Sequence, residues 1–221
     1  MPAAPDRPAA TVGELPLHEY RLRLDGREWG VLHTGEVLTF AQEQRFLSEQ
    51  RATVPYGVLL WPAAIALAHD LAGRGDALRG RRVLELGAGT GLPGIVAATL
   101  GAEVVQTDRQ ELALTVCRMN GARNGAPGLA QRAGDWTAWT DTARYDWIVG
   151  SDVLYSEPMH EHLRRIFDAH LAPGGRLLLA DPFRKFSIRL LEAMEGDGWR
   201  ITMSKWTVGE AGAPRAIGVF E

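Results

Sequence analysis

Val83-Leu84-Glu85-Leu86-Gly87-Ala88-Gly89-Thr90-Gly91-Leu92-Pro93-Gly94 is the stretch that decides the fold. A short apolar run carries one acid near its end. Three glycines follow at alternate positions, and an apolar segment continues from Leu92 to about Leu100. The pattern predicts strand, glycine loop, helix. Glycine lets the backbone turn sharply and approach a ligand closely. The first N–H groups of a helix have no partner inside it, so they are expected to face whatever lies over the loop. Such a loop at the carboxyl end of a strand is a seat for a nucleotide-like cofactor.

Working outward, strands and helices alternate. Strands are predicted at 83–87, 103–107, near 129–133, 145–151 and 175–180. Helices are predicted at 92–100, 110–122, 158–171 and 186–196. Alternation of this kind means a parallel sheet with helices on both faces, an α/β fold. The ending differs: Trp199 to Trp206 and Ala216 to Glu221 read as two strands joined directly by a Gly/Pro-bearing loop. A direct loop makes them antiparallel neighbours, so the last strand runs against the rest. Before the sheet, Trp61-Pro62 opens an apolar helix to about Leu71, with proline at a favourable first position. Tyr20 to Asp25-Gly26 and Glu28 to His33 read as a β-hairpin. Thr39 to Arg51 reads as a short polar helix ended by Val54-Pro55. The chain divides into a mobile tail over 1–16, a cap over 17–55 and a main domain over 56–221.

Composition narrows the function. At 221 residues with 46% apolar content the chain is an ordinary globular size. A net charge of −3 gives no argument for nucleic acid or an acidic membrane. The one cysteine, Cys117, excludes an internal disulfide and points to a reducing, cytoplasmic setting. No basic-then-apolar leader opens the sequence, and no uninterrupted apolar run reaches the roughly 20 residues of a membrane span. A monomer is the simplest expectation.

Gly89-x-Gly91-x-x-Gly94 also fits a dinucleotide fingerprint, with Asp108 where a ribose-binding acid is expected. Three features favour a sulfonium nucleoside instead. Glu85 at the strand end can meet a cationic amine and would repel a pyrophosphate. The helix-free strand pair at the end is not a requirement of dinucleotide folds. Asp135-Trp136 after the third strand offers an acceptor for an adenine amino group and an indole to cover the ring. Against this, Asp108 could simply cap the helix that starts near Gln110.

Together these stretches resemble the seven-strand S-adenosylmethionine-dependent methyltransferases, and more narrowly the group of protein lysine methyltransferases marked by D-x-x-Y after strand four. The matching segments are Trp61-Pro-Ala-Ala, Val83 to Gly94, Val104 to Asp108, Asp135-Trp136 and Tyr145-Asp-Trp-Ile-Val-Gly-Ser-Asp152-Val-Leu-Tyr155. The resemblance implies the strand order 3-2-1-4-5-7-6 with strand seven reversed. It implies that Trp61 packs beside the methionine end of S-adenosylmethionine. Glu85, Gly87, Gly89 and Gly91 would line the methionine and ribose, and Asp108 would accept from the ribose hydroxyls. Asp135 and Trp136 would hold adenine, and Ser151 would lend backbone near the sulfonium. Asp181-Pro182-Phe183-Arg184 is similar to a D-P-x-R motif of the branch acting on the electron-transfer flavoprotein β subunit. Arginine and small-molecule methyltransferases share the fold.

The product of such a transfer is S-adenosylhomocysteine, and the acceptor is expected to be a protein lysine, with a small-molecule acceptor or a non-catalytic binding module as alternatives. Asp152 and Tyr155 are the candidate catalytic pair. If the chain turns helically there, i and i+3 share a side. Asp152 would orient an incoming amine and Tyr155 would form a wall; alternatively Asp152 caps a turn and Tyr155 packs. Pro182, Phe183 and Arg184 could rim the acceptor pocket, although Arg184 could equally be a solvated loop residue. His33 reads as a hairpin-surface residue, Cys117, Trp139 and Trp147 as core, and Glu43, Glu49 and Arg51 as a solvated face. His160 and His162, at i and i+2, do not share a helix face, and no metal site is predicted.

Overall fold

A computed structural model describes residues 9–35, 56–126, 129–209 and 214–221. The polar helix expected at Thr39–Arg51, its Val54-Pro55 end and the face of Glu43, Glu49 and Arg51 lie outside the described residues.

The glycine stretch forms strand β4 (Arg82–Leu86), a loop, and helix α2 (Leu92–Thr99). It is followed by β5 (Glu103–Asp108), α3 (Glu111–Arg123), β6 (Ala130–Ala133) and β7 (Tyr145–Ser151). Then come α4 (His160–His170), β8 (Leu171–Asp181), α5 (Lys185–Gly196), β9 (Met203–Val208) and β10 (Arg215–Phe220). One seven-stranded sheet takes them in the order β6-β5-β4-β7-β8-β10-β9. With β4 as strand one, this is the predicted 3-2-1-4-5-7-6. β10 is antiparallel to both β8 and β9. The sixth strand begins at Met203, four residues later than the sequence suggests, because Trp199 and Ile201 pack into the core ahead of it.

The carboxyl ends of β4, β5, β7 and β8 share one edge, and strand order reverses between β4 and β7. A crevice for a ligand forms at such a switch point. The two sheet faces are covered unequally. Val83, Val149 and Leu178 pack with α1 (Pro62–Arg74) and α2. Leu84, Ile148 and Leu179 pack with α4 and α5. The run 56–78, which contains α1, is long and apolar enough to cross a membrane by composition. Here it is a core helix: Pro62 through Ala68 and Leu71 are buried.

The N-terminal hairpin joins this core. β2 (Leu15–Leu24) and β3 (Arg27–His33) meet at Asp25-Gly26, both with positive φ as a two-residue turn requires. Leu22, Trp29 and Val31 share the α1/α2 cluster. Residues 10–12 and 15–16, expected within a mobile tail, are ordered in strands. β1 (Ala10–Val12) turns at Gly13-Glu14 and pairs with Leu15–Leu17. α3 shields β3's free edge with two carboxamides: Asn120 exchanges hydrogen bonds with both backbone groups of Leu32, and Asn124 does so with Gly30. A side-chain amide thereby replaces a neighbouring strand.

Candidate functional site

Gly87, Gly89 and Gly91 take φ of 61°, 55° and 80°, conformations that favour glycine. Four of the N–H groups in and after this loop are engaged within the protein, so they do not face a ligand as the motif led one to expect. The N–H of Ala88 donates to Thr107 O (2.9 Å) and that of Gly91 to Ala88 O (2.7 Å). The N–H of Gly89 donates to Asp108 Oδ2 (3.0 Å) and that of Gly94 to Glu85 Oε2 (3.1 Å). Two carboxylates therefore occupy positions that phosphate oxygens would take in a phosphate-binding loop.

Glu85 is buried, and its Oε2 also accepts from Gln106 Nε2 at 2.7 Å. Burial pushes its carboxyl up to about 7, against the two hydrogen bonds and with help from nearby Asp108. The sequence placed Glu85 at the amine of a ligand; the structure engages it beneath α2, where it pins the helix start. Burial also raises Asp108, while the N–H groups of Gln110, Gly89 and Arg109 oppose the shift. Asp108 does not cap α3, whose N-cap is Gln110 with no side-chain cap bond; it accepts the Gln110 N–H ahead of the helix and so ties the glycine loop to the turn after β5. Cys117 is core as expected; its thiol donates to Gly89 O (3.1 Å), and burial holds it well above its ordinary range.

Walls rise around the loop. A Cβ on Gly87 would lie 3.0 Å from Val153 Cγ1 and 3.5 Å from the Trp136 ring. A Cβ on Gly89 would lie 3.2 Å from Gly57 O. Trp61 caps the start of α1, and its Nε1 donates to Tyr56 O at 3.3 Å. Asp135 is exposed and turned toward its own chain: Oδ1 accepts from the Thr137 N–H (2.9 Å) and hydroxyl (2.7 Å). Those bonds hold Trp136 in a single 3₁₀ turn, half-buried against the loop.

Beyond β7 the structure departs from the expected helical turn. Asp152 has φ 53°, and its N–H continues the ladder to Ala180 O (2.9 Å). Asp152 is 8% exposed whereas Tyr155 is 44% exposed, so the pair does not face one side together. Asp152 Oδ1 accepts from Arg184 Nη2 (2.7 Å), and the Ala63 N–H at the start of α1 also donates to this carboxylate. Burial is the largest influence and pushes Asp152 up to about 6; Arg184 opposes this and Asp181 adds to it. Burial raises Tyr155 as well. Arg184 is not a solvated loop residue: its side chain is 9% exposed and bridges Asp152 and Asp181. Phe183 packs edge-on against Phe220 rather than lining a pocket.

The profile of a lysine methyltransferase family matches residues 41–187, and this span contains the loop, its capping acids and Asp152. The chain belongs to this lysine methyltransferase family. It is 39% identical over 127 residues to Protein N-lysine methyltransferase METTL21A of Xenopus tropicalis, which covers 55% of this chain and 58% of the relative. It is 37% identical over 119 residues to Histone-arginine methyltransferase METTL23 of Xenopus laevis, covering 48% and 51%. The matched stretch therefore spans a little over half of these relatives. Among solved structures, ribosomal protein L11 methylase from Lactobacillus delbrueckii subsp. bulgaricus superposes with a TM-score of 0.54 at 25% identity, covering 70% of this chain and 75% of that one.

The site of this methyltransferase-family chain fits S-adenosylmethionine better than a dinucleotide. Acids already hold the Gly89 and Gly94 N–H groups, an arrangement that disfavours a diphosphate and tolerates a cation. The structure gathers Gly87, Gly89, Gly91, Asp108 and Trp136 around the loop, with Ser151 and Asp152 at the end of neighbouring β7. Sequence reading missed Gln106 and Gly57, and it did not foresee the pairing of Arg184 with Asp152. The D-P-x-R spacing was visible for Arg184, but its partner Asp152 lies 32 positions away. His33, expected on the surface, is 5% exposed; burial lowers it to about 4, with His18 adding to the shift. Trp147 is core on the α1/α2 face, while Trp139 is only partly buried, against the opposite cluster.

Proposed function

We propose that this chain transfers a methyl group from S-adenosylmethionine to a lysine side chain of a protein, leaving S-adenosylhomocysteine. The observation that carries the reading is the glycine loop in which Asp108 takes the Gly89 N–H and Glu85 takes the Gly94 N–H. Family membership supports the transfer, and the lysine-directed relative supports the acceptor.

When bound, S-adenosylmethionine supplies a methyl group on a positively charged sulfur, an electrophile that needs no metal. Trp61, Gly87, Gly89, Gly91 and Trp136 would line it, with Asp108 and Asp135 as acceptors and Ser151 at the neighbouring strand end. The chain must then present a neutral amine in line. A free lysine has a pKa near 10.4, so deprotonation at pH 7 costs roughly 4–5 kcal/mol. Desolvating the ammonium lowers that cost. Asp152 accepts a hydrogen bond from the arriving nitrogen and orients its lone pair. A carboxylate raises a neighbouring amine's pKa, so Asp152 orients rather than deprotonates. Tyr155, exposed on the same loop, offers a wall and a hydroxyl. Unpaired, buried Cys117 supports a reducing, cytoplasmic setting.

The test is incubation of the purified chain with labelled S-adenosylmethionine and a cell lysate, followed by mass spectrometry. Methyl-lysine on a protein is the expected result. Methylarginine would move the acceptor toward the arginine-directed relatives. Label confined to small molecules would overturn the protein substrate, and cofactor binding without any label would make the chain a binding module.

A further inference from the structure

The carboxylate assigned to the arriving amine does not stand alone. Arg184 donates through Nη2 to Asp152 Oδ1 and through Nη1 to Asp181 Oδ2, both at 2.7 Å. The three side chains are 9%, 7% and 0% exposed. Asp181 is held further by the Arg184 N–H (2.8 Å, to Oδ1) and the Ser187 hydroxyl (3.0 Å, to Oδ2). The loop carrying Asp152 is anchored as well. Leu154 O accepts from Ser187 Oγ (3.3 Å) and lies 3.0 Å from His160 Nε2.

We propose, on the basis of the function above, that Arg184 is a positioning residue for methyl transfer: its forked guanidinium fixes the Asp152 carboxylate for the acceptor nitrogen, and Asp181 with Ser187 fixes the guanidinium. Burying ions is costly, and apolar residues of similar volume often stabilise a fold as well or better. Stability alone therefore does not account for three buried charged side chains. A role in holding the Asp152 carboxylate toward an acceptor does: Arg184 grips the one Asp152 oxygen, Oδ1, through Nη2. The fork adds direction. A planar guanidinium holds two carboxylates at fixed angles, whereas a lysine offers one point of charge. Among the described residues, the charged and polar groups acting on Asp152 include Asp181 at the end of β8, Arg184 at the start of α5 and the Ala63 N–H of α1. Neighbouring His160 of α4 is engaged with Leu154 O.

The test compares Arg184→Gln and Arg184→Lys with the wild type. S-adenosylhomocysteine affinity is measured by calorimetry, and transfer to the protein labelled in the lysate is followed as a function of pH. Both variants should bind the nucleoside within about twofold of the wild type, because the fork lies outside the glycine loop. In Arg184→Gln, kcat should fall roughly 100-fold, the scale of a misplaced reacting group. Its acid limb should move to higher pH, since the cation that favours ionised Asp152 is gone. Arg184→Lys keeps the charge without the fork; it should recover part of kcat and leave the limb in place. A purely structural role would lower the melting temperature and leave kcat per folded molecule and the limb unchanged. Wild-type kcat in either folded variant, or an unmoved limb in Arg184→Gln, overturns the proposal. If Arg184→Gln does not fold, Arg184→Lys decides it by whether kcat falls. No labelling by the wild type itself would overturn the proposed function and this role together, an outcome distinct from equal labelling by wild type and variants.

Discussion

Asp108 holds Gly89 from the neighbouring strand: its Oδ2 accepts the Gly89 N–H at 3.0 Å while its Oδ1 accepts the Gln110 N–H at 2.9 Å. One carboxylate thereby sets the distance between the glycine loop and the β5–α3 turn. Asp108→Ala removes both acceptors, and an N–H left unsatisfied costs about 1–3 kcal/mol. Calorimetry should show S-adenosylhomocysteine affinity at least about tenfold weaker, the equivalent of 1.4 kcal/mol. NADH should give no heat with the wild type; a NADH affinity matching that of the sulfonium compound would return the site to dinucleotide chemistry.

Glu85 makes folding depend on pH. Its carboxyl is pushed to about 7 in the folded chain by burial, against about 4.3 when unfolded. A raised folded value means the folded state holds the proton more tightly. This contribution is fully present below about pH 4 and is lost as pH rises through about 7. Glu85→Gln keeps an acceptor for Gly94 and Gln106 and does not titrate. Melting curves should show the variant gaining on the wild type from pH 5 to pH 8, by about 3 kcal/mol at most. Asp152, raised in the same direction, leaves a smaller slope in the variant. Parallel pH curves for the two proteins would remove Glu85 from the account.

Asn120 joins the hairpin to the site. Its Nδ2 donates to Leu32 O (3.0 Å) and Thr90 O (2.9 Å), and its Oδ1 accepts the Leu32 N–H (2.7 Å). Asn120→Asp is nearly the same size but, when ionised, turns an oxygen toward two carbonyls. Urea unfolding should show a loss of about 3 kcal/mol or more, exceeding that of Asn120→Ala. If Asn120→Asp is the milder change, the carboxamide is not doing the work of a strand edge.

Asp152 and Tyr155 should separate by experiment. If the ionised carboxylate orients the amine, kcat should rise with pH through an acid limb near the Asp152 value of about 6. Tyr155→Phe removes an exposed hydroxyl, so stability should change by less than about 0.5 kcal/mol while transfer slows. Unchanged transfer in Tyr155→Phe would reduce that residue to a surface ring.

Local pattern made much of this legible. The apolar run, the glycines and Leu92 onward specify strand, loop and helix within a few residues, because each signal acts on its own stretch of backbone. The same holds for Asp25-Gly26 and for the antiparallel ending. Individual roles were less legible. Glu85 and Asp108 stand out in the sequence as site residues, yet their protein partners are Gly94 and Gly89, at separations of 9 and 19. A carboxylate in a motif looks the same whether it awaits a ligand or caps a loop.

By itself, the sequence determined the order of elements, the parallel sheet with its reversed last strand, and the edge at which a ligand would sit. These follow from periodicity, glycine and connection length. Only the tertiary structure decided which polar groups are spoken for. The pairing of Ser151 with Ala180 sets the β7 and β8 loops side by side, and that alone brings Arg184 to Asp152. Packing of α3 on the hairpin brings Asn120 to Leu32, 88 positions away. The reason is physical: hydrogen bonds and burial depend on what folding places within about 3 Å, and residue spacing along the chain does not carry that distance.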